Sequence, residues 1–465
     1  MEGADYTYVF DDLSDTLRAV QLLGGNTAAN VVSTCKVVVD DSQLLSLRRV
    51  PEEIADLIDL AVSVYVADRL SIRKAQQSRR IQVVVPVRHP EILGSSQVSD
   101  LLRQILYWFT GDHWSFDLTC RAGAGRIAEL QTTMPLADAL SEPSEVALWS
   151  GGLDSLAGLF NRLSVEPSDC YVLLGTGSNT ILHNTQRQVA MSLRGKFPER
   201  IRLIQIPIRL DESTALRKER SQRSRGFVFM LLGAACAYLA GKMTLHLYEN
   251  GIGAINLPFR ASEVGLDHTR SVHPLSLFYM SNLLTELLGA QFSFQNPILF
   301  YTKAMMCQEL VETGCVDLAF ATISCDRLHR EEPMQCGYCS SCLLRRQALA
   351  VHGVEDRTPY IATTHSASSQ SPLLPKPDYL LAMLRQVEDL RAILSTRLPW
   401  QGFVHKYPRL AAVVDQTAPY IGMTPDVMMK RLLGLYQAYV DEWDSVRGSF
   451  EEGLLLDRAK MQVTA

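Results

Sequence analysis

The stretch Glu145-Val-Ala-Leu-Trp-Ser-Gly-Gly-Leu-Asp-Ser-Leu-Ala-Gly-Leu159 decides the fold that we predict for this chain. A short apolar strand runs into a loop with two glycines, and a helical pattern follows at once. Glycines let the backbone fold close around an anion, because no Cβ blocks the approach. The free N–H groups of the loop and of the helix start then point at the anion. The segment therefore predicts a phosphate-binding loop, and the alternative is a tight glycine turn without a ligand.

The phosphate-binding loop covers residues 150–155, and its predicted ligand contacts are Ser150, Gly151, Gly152, Leu153, Asp154 and Ser155. The two serines offer hydroxyl donors, and Asp154 either caps the following helix or helps to hold a magnesium ion that bridges the phosphates. No lysine follows the glycines, so the loop is not of the kind used for γ-phosphoryl transfer. The pattern Ser-Gly-Gly-x-Asp-Ser resembles the PP-loop of ATP pyrophosphatases. Those enzymes bind the pyrophosphate part of ATP and transfer AMP to an acceptor.

The bulk composition limits the classes of protein that need to be considered. The chain has 465 residues, too many for one compact core, so two or three domains are expected. Hydrophobic residues make up 47% and charged residues 20%, which is typical of a folded protein. The net charge of -5 gives no attraction to phosphate backbones, so nucleic acid is not the expected partner. No apolar run is long enough for a bilayer and the N-terminus lacks a secretion pattern, which predicts a cytoplasmic protein without membrane contact.

Three regions are predicted from the order of apolar stretches. Residues 1–140 mix strands and helices and form an α+β accessory domain. Residues 141–360 alternate strands with crossover helices, which predicts an α/β domain with a parallel sheet and helices on both faces. Residues 361–465 hold a linker rich in Ser, Thr and Pro over 361–377, followed by a helical region. The strands predicted in the central domain are Val146–Trp149, Cys170–Leu174, Ile201–Ile208, Met243–Tyr248 and Leu318–Ile323.

Four of the ten cysteines crowd into one segment with the spacing C-x10-C-x2-C-x2-C. The two-residue gaps let consecutive thiolates face one ion from a tight turn, and Cys325 closes the tetrahedron from the end of a predicted strand. Four thiolates with no open position are typical of structural zinc rather than catalytic zinc. An iron–sulfur cluster and a redox dithiol are the alternatives. The predicted ligands are Cys325, Cys336, Cys339 and Cys342.

The phosphate-binding loop and the cysteine cluster together resemble 7-cyano-7-deazaguanine synthase (QueC). The resemblance is carried by the loop, by Ser324-Cys325 and by the run Cys336-Gly-Tyr-Cys-Ser-Ser-Cys-Leu-Leu-Arg345, and it covers residues 145–352. It implies the PP-loop fold, also called adenine nucleotide α-hydrolase-like, with structural zinc, Mg²⁺ and ATP as co-substrate. It also implies adenylation of the carboxylate of 7-carboxy-7-deazaguanine, then amidation and dehydration to a nitrile.

Four further residues are candidates for the chemistry around the loop. Arg225 stands where the family has an arginine that contacts ATP, although the family has asparagine where this chain has Gly226. Lys303 lies in a Thr-Lys helix start similar to the family's. Both cations are expected to offset negative charge at the α-phosphorus, and the alternative for both is a solvated surface position. His183 follows the second strand, where the family has a histidine near the substrate, and Asn250 either contacts a purine-like base or caps a turn.

The chain departs from the family in two respects. The family's Tyr-Pro-Asp-Cys-Arg run is absent, and the chain reads Glu249-Asn-Gly-Ile-Gly-Ala-Ile-Asn-Leu-Pro258 there. The N- and C-terminal additions resemble the QueC-like proteins of bacterial antiphage systems, such as QatC, some of which are thought to attach a deazaguanine to a partner protein. The resemblance thus implies an ATP-dependent carbon–nitrogen ligase acting on a 7-deazaguanine acid, with a partner protein from the same defence operon. The alternatives are a biosynthetic synthase using ammonia, a sulfur-inserting tRNA modifier and a non-catalytic ATP-binding scaffold.

Overall fold

A computed structural model gives the fold of this chain. It describes residues 4–11, 17–23, 33–74, 77–121, 129, 143–210, 217–219, 221–259, 270–326, 334–361 and 378–463. The predicted linker therefore lies outside the described residues, except for Ile361. Within these ranges, no helix is both long and apolar enough to cross a membrane.

Ten strands of the described ranges form one sheet. In chain order they are β1 (Tyr6–Phe10), β2 (Leu17–Leu23), β3 (Ser33–Val39), β4 (Arg80–Val87), β5 (His113–Cys120), β6 (Glu145–Leu148), β7 (Tyr171–Gly177), β8 (Ile201–Leu210), β9 (Thr244–His246) and β10 (Ser293–Gln295). They lie side by side in the order β10-β9-β6-β7-β8-β3-β2-β1-β4-β5. Strands β6 to β9 confirm four of the five strands predicted for the central region.

Helices cover both faces of the sheet and form the C-terminal part. In chain order the α-helices of the described ranges are α1 (Glu52–Leu70), α2 (Pro90–Leu93), α3 (Ser96–Thr110), α4 (Leu153–Val165), α5 (Thr180–Lys196), α6 (Arg225–Leu239), α7 (Gly251–Ile255), α8 (Pro274–Leu288), α9 (Lys303–Glu312), α10 (Asp317–Phe320), α11 (Ser340–Val351), α12 (Asp378–Leu394), α13 (Pro399–Lys406), α14 (Arg409–Tyr420) and α15 (Pro425–Val463). The residues at the ends of these helices explain where the helices begin and stop. Helix α3, for example, is capped by the Ser95 hydroxyl and ends at Gly111, whose φ is 72°.

The half of the sheet that carries the phosphate-binding loop is parallel. β7 pairs with β6 and β8 pairs with β7, whereas β9 pairs with the other side of β6 and β10 follows β9. The strand order therefore reverses at β6. In sheets of this kind, ligands bind in the crevice beyond the carboxyl ends of the strands, at the reversal point. For this chain the crevice lies beyond the ends of β6 and β9.

Alternate residues of the central strands face two separate hydrophobic cores. Val146 and Val172 pack in a core that includes residues of α1 and α6. Ala147 and Leu173 pack in a second core with residues of α4 and α5. Because both faces of the strands are buried, these strands are apolar throughout, as expected for a parallel sheet. The α/β fold with helices on both faces is thereby confirmed.

The N-terminal strands continue the same sheet. β3 pairs antiparallel with β8, with Val37 opposite Leu210 and Val39 opposite Ile208. The first core accordingly runs without a break from Tyr8 to Phe294. The N-terminal residues are thus packed edge to edge against the strands that carry the loop.

The C-terminal helices form a third core of their own. Buried residues of α12, α14 and α15, such as Met383, Val413 and Trp443, pack there with residues of α7 and α11. This core is tied to the phosphate-binding half through Glu442, which accepts hydrogen bonds from the Thr302 hydroxyl and from Gln347 Nε2. The predicted helical C-terminal region is confirmed.

The strand predicted over Leu318–Ile323 is wrong. Asp317–Phe320 forms one helical turn, and the chain then continues without strand pairing. A short apolar run does not distinguish a buried strand from a buried turn of helix. Here side chains satisfy the backbone: Thr322 Oγ1 donates to Ala319 O at 2.7 Å, and the guanidinium of Arg345 donates to the same carbonyl at 2.6 Å. No neighbouring strand is needed.

Candidate functional site

The phosphate-binding loop connects β6 to α4 at the reversal point of the sheet. Gly151 has a φ of 73°, and a Cβ there would lie 3.1 Å from the backbone of Gln186. Only glycine therefore fits this position without strain. Gly152 is the N-cap of α4, so no side chain covers the positive end of that helix. Ser150 Oγ accepts from the Gly152 N–H at 3.1 Å and lies 3.0 Å from Ser155 Oγ, so the two predicted hydroxyls meet at the helix start.

Asp154 joins three elements around this loop. Its carboxylate is buried in the first turn of α4, with 8% of the residue exposed. Asn250 Nδ2 donates to Asp154 Oδ1 at 2.8 Å, and the ammonium of Lys303 donates to Asp154 Oδ2. The predicted capping of α4 by Asp154 is not found, since the helix has no side-chain cap. Three predicted site residues, from α4, from α9 and from the segment between β9 and α7, thus come together.

Lys303 is buried, with only 5% of the residue exposed, so a solvated surface position does not describe it. It opens α9, whose N-cap is the Thr302 hydroxyl, as the Thr-Lys pattern predicted. Burial by itself would lower the pKa of Lys303, but the carboxylates of Asp154 and Glu249 outweigh burial and raise it. Lys303 is therefore a charged ammonium held inside the site.

Asn250 is fully buried and uses both ends of its amide. Its Oδ1 accepts from the Gly253 N–H at 2.9 Å, which caps α7. Its Nδ2 donates to Asp154 and, at 3.1 Å, to Glu249 Oε1. The predicted cap is therefore present, and the amide also orients two carboxylates. A contact between Asn250 and a purine-like base remains a prediction.

Two carboxylates of the site were missed by the sequence analysis. Glu249 lies three residues after the end of β9, and burial together with the nearby charge of Asp154 raises its pKa. Asp326 follows Cys325, contributes to the same rise in the pKa of Glu249, and accepts from the Ser341 hydroxyl at 2.8 Å. A carboxylate at the end of a strand beside the reversal point was a usable signal for Glu249. Asp326 had no such signal in the sequence, because only the folding of the cysteine segment brings its carboxylate near Glu249.

Arg225 lies at the rim of the site rather than in its centre. It is the first residue of α6, and its guanidinium lies 4.8 Å from the centre of the Phe229 ring. The residue is exposed, yet burial by surrounding protein lowers the pKa of Arg225 while Asp326 opposes this effect. A Cβ at Gly226 would lie 2.5 Å from Ser271 Cα, which explains glycine where the family has asparagine.

His183 is held apart from the group around Asp154. It lies in the first turn of α5, after β7, where the sequence placed it. Its Nε2 lies 2.8 Å from the carbonyl oxygen of Gly177, and its Nδ1 lies 3.4 Å from Gln205 Nε2. Gln205 also donates to the backbone carbonyl of His183 at 2.9 Å. These contacts fix the ring near the end of β7, and a role close to the substrate stays a prediction.

The four predicted cysteines form one cluster, and their Sγ atoms all lie within 4.8 Å of one another. Tetrahedral zinc with bonds of about 2.3 Å places its thiolates about 3.8 Å apart, and Cys336 Sγ lies 3.9 Å from Cys342 Sγ. The backbone N–H of Cys336 donates to Cys325 Sγ at 3.3 Å, an arrangement that suits a thiolate. The donor set therefore fits a bound metal ion.

The cysteine cluster is directly connected to the phosphate-binding loop. Ser324, the residue before Cys325, accepts a hydrogen bond from the Leu153 N–H at 3.2 Å. The N–H of Ile323 donates to the carbonyl of Gly151 at 3.3 Å. A metal ion held by the four thiols would therefore fix the segment against which the loop rests.

Comparisons with known proteins agree with this geometry. No family model matches the chain. Three curated relatives are named 7-cyano-7-deazaguanine synthase. The protein from Pseudomonas aeruginosa is 39% identical over 83 residues, which is 17% of this chain and 36% of that protein. The protein from Legionella pneumophila is 30% identical over 138 residues, 28% of this chain and 59% of that protein. The protein from Pseudomonas fluorescens is 28% identical over 238 residues, 47% of this chain and 96% of that protein.

The parallel sheet, its covering helices and the Ser-Gly-Gly-x-Asp-Ser loop at the reversal point define an α/β protein with the PP-loop fold. Within this class the chain is similar to the 7-cyano-7-deazaguanine synthases (QueC). The chain spans 36% and 59% of the length of the first two relatives and nearly all of the third. More than half of the chain lies outside even the longest of these three alignments.

Proposed function

We propose that the chain is an ATP-dependent ligase that adenylates a carboxylate and transfers the acyl group to an amine. In the first step a carboxylate oxygen attacks the α-phosphorus of ATP, and the bond to the bridging oxygen breaks, which releases pyrophosphate. In the second step the amine nitrogen attacks the acyl carbon, loses a proton and displaces AMP. The supporting observation is the position of the loop at the reversal point, with Asp154 held there by Lys303 and Asn250.

The residues around Asp154 suit attack at the α-phosphorus. The start of α4 and the serines Ser150 and Ser155 bind the leaving pyrophosphate through N–H and hydroxyl donors. The loop carries no lysine, and the ammonium of Lys303 reaches the site from α9 instead. Arg225 adds a second cation from the rim. These two cations offset the charge that accumulates as the bond to pyrophosphate breaks.

The charge of the site also supports a requirement for a divalent cation. Asp154, Glu249 and Asp326 place three carboxylates around one buried ammonium and one arginine. A triphosphate entering this group needs further positive charge. Carboxylate oxygens are the ligands that Mg²⁺ prefers, and Asp154 and Glu249 are the residues that would hold it. Mg²⁺ supplies charge stabilisation there, and the zinc proposed at the four cysteines is structural.

The proposed acyl substrate is 7-carboxy-7-deazaguanine, since the relatives are named 7-cyano-7-deazaguanine synthases. The Glu249–Pro258 segment stands where that family has its substrate-binding run. At this segment, therefore, the reaction of the activated carboxyl group is most able to differ from that of the family. We propose a protein amine of a partner from the same defence operon as the acceptor, in line with the QatC resemblance. Mass spectrometry of co-expressed neighbouring proteins tests this, because a covalent deazaguanine adduct is the expected result and unmodified neighbours contradict it.

The experiment for the core proposal measures the nucleotide products. The chain is incubated with ATP, Mg²⁺ and 7-carboxy-7-deazaguanine, and AMP and pyrophosphate are expected to form together. Asp154→Asn is expected to abolish both products. Asp426→Asn, which changes an exposed residue in the first turn of α15, serves as the matched control and keeps full activity. Formation of ADP and phosphate alone would rule out the proposal.

A further inference from the structure

Trp108 lies at the junction between the sheet and the C-terminal helices. It is partly buried and packs against both the first core and the C-terminal core. The ring nitrogen of Trp108 donates to Ser276 Oγ at 2.8 Å, and the Tyr279 ring meets it edge-on at 6.0 Å. The indole ring is therefore fixed before any ligand arrives.

Two arginines from distant parts of the chain converge on this ring. The guanidinium carbon of Arg270 lies 4.2 Å from the ring centre, and that of Arg409 lies 5.6 Å from it. Arg270 also donates to the backbone carbonyl of Trp108. A third arginine, Arg223, lies close by and contacts the carbonyl of Thr110 at 3.4 Å. Residues from α3, from the segment before α8 and from the start of α14 thus build one cationic group.

Arg270 and Arg409 concentrate positive charge at this ring. Burial lowers the pKa of Arg270, and the like charges of Arg409 and Arg223 act in the same direction, which brings this pKa to about 10. No carboxylate in the described ranges pairs with Arg270 or Arg409. His273, whose ring contacts Trp108, is neutral at pH 7 because burial lowers its pKa to about 3. The first turn of α14 has no acidic residue, so the positive end of that helix adds to the group.

We propose that Trp108, Arg270 and Arg409 form a binding site for a phosphate group, separate from the phosphate-binding loop. Guanidinium groups bind phosphate through paired N–H donors, and stacking on an indole ring fixes their planes. A phosphate group carries a charge of about -1.5 to -2 at pH 7, which matches several cations better than a single carboxylate does. The cations are grouped at one ring instead of following a track, so a compact phosphate fits better than a polynucleotide.

The site adjoins the rim of the loop site but does not depend on the proposed function. Ser271, next to Arg270, packs against Gly226, which follows Arg225. The phosphate can come from inorganic phosphate or from a nucleotide. In both cases the ligand chemistry is the same. The C-terminal helices contribute to this phosphate site through Arg409.

Isothermal titration with inorganic phosphate, at constant ionic strength and pH 7.5, tests the site. We expect saturable binding that Arg409→Gln weakens at least about tenfold, since it removes a charge-assisted pair. Arg409→Lys keeps the charge but loses the planar fork, so an intermediate affinity is expected. Arg431→Gln is the matched control, because Arg431 is an exposed arginine stacked at 5.2 Å on Phe300 in the same helical region. This variant is expected to bind phosphate with the affinity of the wild type.

A second pair of measurements separates this site from the loop and identifies the source of phosphate. Ser150→Ala changes the loop and is expected to leave intact the phosphate affinity that depends on Arg409. A loss of AMP affinity in Arg409→Gln that exceeds its loss of phosphate affinity indicates a nucleotide ligand, and an AMP affinity that Arg409→Gln leaves unchanged indicates free phosphate. Binding that Arg409→Gln leaves unchanged, or that Ser150→Ala abolishes, overturns the proposal. Neither result decides whether the wild-type chain forms AMP and pyrophosphate, so the two proposals fail separately.

Discussion

Asn250 Nδ2 lies 2.8 Å from Asp154 Oδ1, and this hydrogen bond spans the crevice between the ends of β6 and β9. The two residues are 96 positions apart in the chain. Asn250 is fully buried, so water does not replace it as the donor when it is lost. The orientation of the Asp154 carboxylate therefore depends on a residue from the opposite side of the strand reversal.

Asn250→Ala is expected to lower AMP formation by about tenfold or more, because a misplaced catalytic group costs a rate of this order. It also leaves Asp154 Oδ1 without a donor and α7 without its cap, so the free energy of unfolding should fall by about 1–3 kcal/mol. Product assays and denaturant unfolding measure the two effects. Ser95→Ala removes the cap of α3 and is the control, since it should cost stability without lowering the rate. Equal rates for Asn250→Ala and wild type would contradict a positioning role.

Lys303→Met is expected to reduce the free energy of unfolding by about 3–5 kcal/mol, because it leaves the buried carboxylate of Asp154 unpaired. The double variant Asp154→Asn with Lys303→Met removes both charges and should recover a large part of that loss. Denaturant unfolding of the two single variants and the double variant gives the coupling between the residues. A double variant whose loss equals the sum of the single losses would show that the two side chains do not interact.

Glu249→Gln is expected to make the chain more stable at pH 8 than at pH 5, relative to wild type. Burial and the charge of Asp154 raise the pKa of Glu249 above its ordinary 4.5. A carboxyl group with a raised folded pKa stabilises the fold below pH 4.5 and loses that contribution as pH rises through the folded pKa. Glutamine carries no charge and avoids this loss. Thermal melts across pH 5–8 measure the difference, while the rate of AMP formation should fall.

The control for this titration is Glu388→Gln. Glu388 is exposed, and its hydrogen bonds with Arg447 and Arg391 lower its pKa, so the sign of any effect is opposite. No gain in stability at pH 8 is expected for this variant. A gain equal to that of Glu249→Gln would point to a general charge effect rather than to the buried carboxyl.

Cys336→Ser is expected to lose the bound metal and to unfold at a much lower temperature, because metal binding is coupled to folding in sites of this kind. Metal analysis by plasma mass spectrometry should give one zinc per wild-type chain and much less for the variant. Cys120→Ser changes an exposed cysteine outside the cluster and should keep full metal content. Retention of one zinc by Cys336→Ser would mean that the four thiols are not its ligands.

Gly151→Ala is expected to weaken ATP binding strongly, because a Cβ would press on the backbone of Gln186 and the positive φ is strained for alanine. Gly289→Ala is the matched control, since Gly289 also has a positive φ of 60° but has open space around its Cβ position. The control should cost about 1–2 kcal/mol of stability through φ alone and bind ATP normally. Equal ATP affinities for both variants would show that crowding at the loop is unimportant.

The sequence was informative where chemistry lies in adjacent residues. The loop from Ser150 to Ser155 and the cysteine run carry their own glycines and spacings, so both could be placed without the fold. Lys303 was found through a two-residue helix start that the Thr302 cap reproduces. Each of these signals lies within a few adjacent residues, so its interpretation does not depend on how the rest of the chain folds.

Features set by distant contacts were not predictable in this way. The position of Asp326 beside Glu249 depends on the folded cysteine segment, and the helical turn that replaced the predicted strand depends on Arg345 from α11. The pairing of β3 with β8 joins residues about 170 positions apart in the chain, which no periodicity records. The roles proposed for Arg225 and His183 remain predictions.

The antiparallel pairing of β3 with β8 has a practical consequence for protein engineering. Trimming the chain to the part that resembles the shorter synthases would remove β3 and expose the hydrogen-bonding edge of a ten-residue apolar strand. Unprotected edges of this kind recruit other chains and aggregate. The N-terminal strand β3 therefore protects the edge of β8 from pairing with other chains. A shortened version of this protein will need another element at that edge to avoid aggregation.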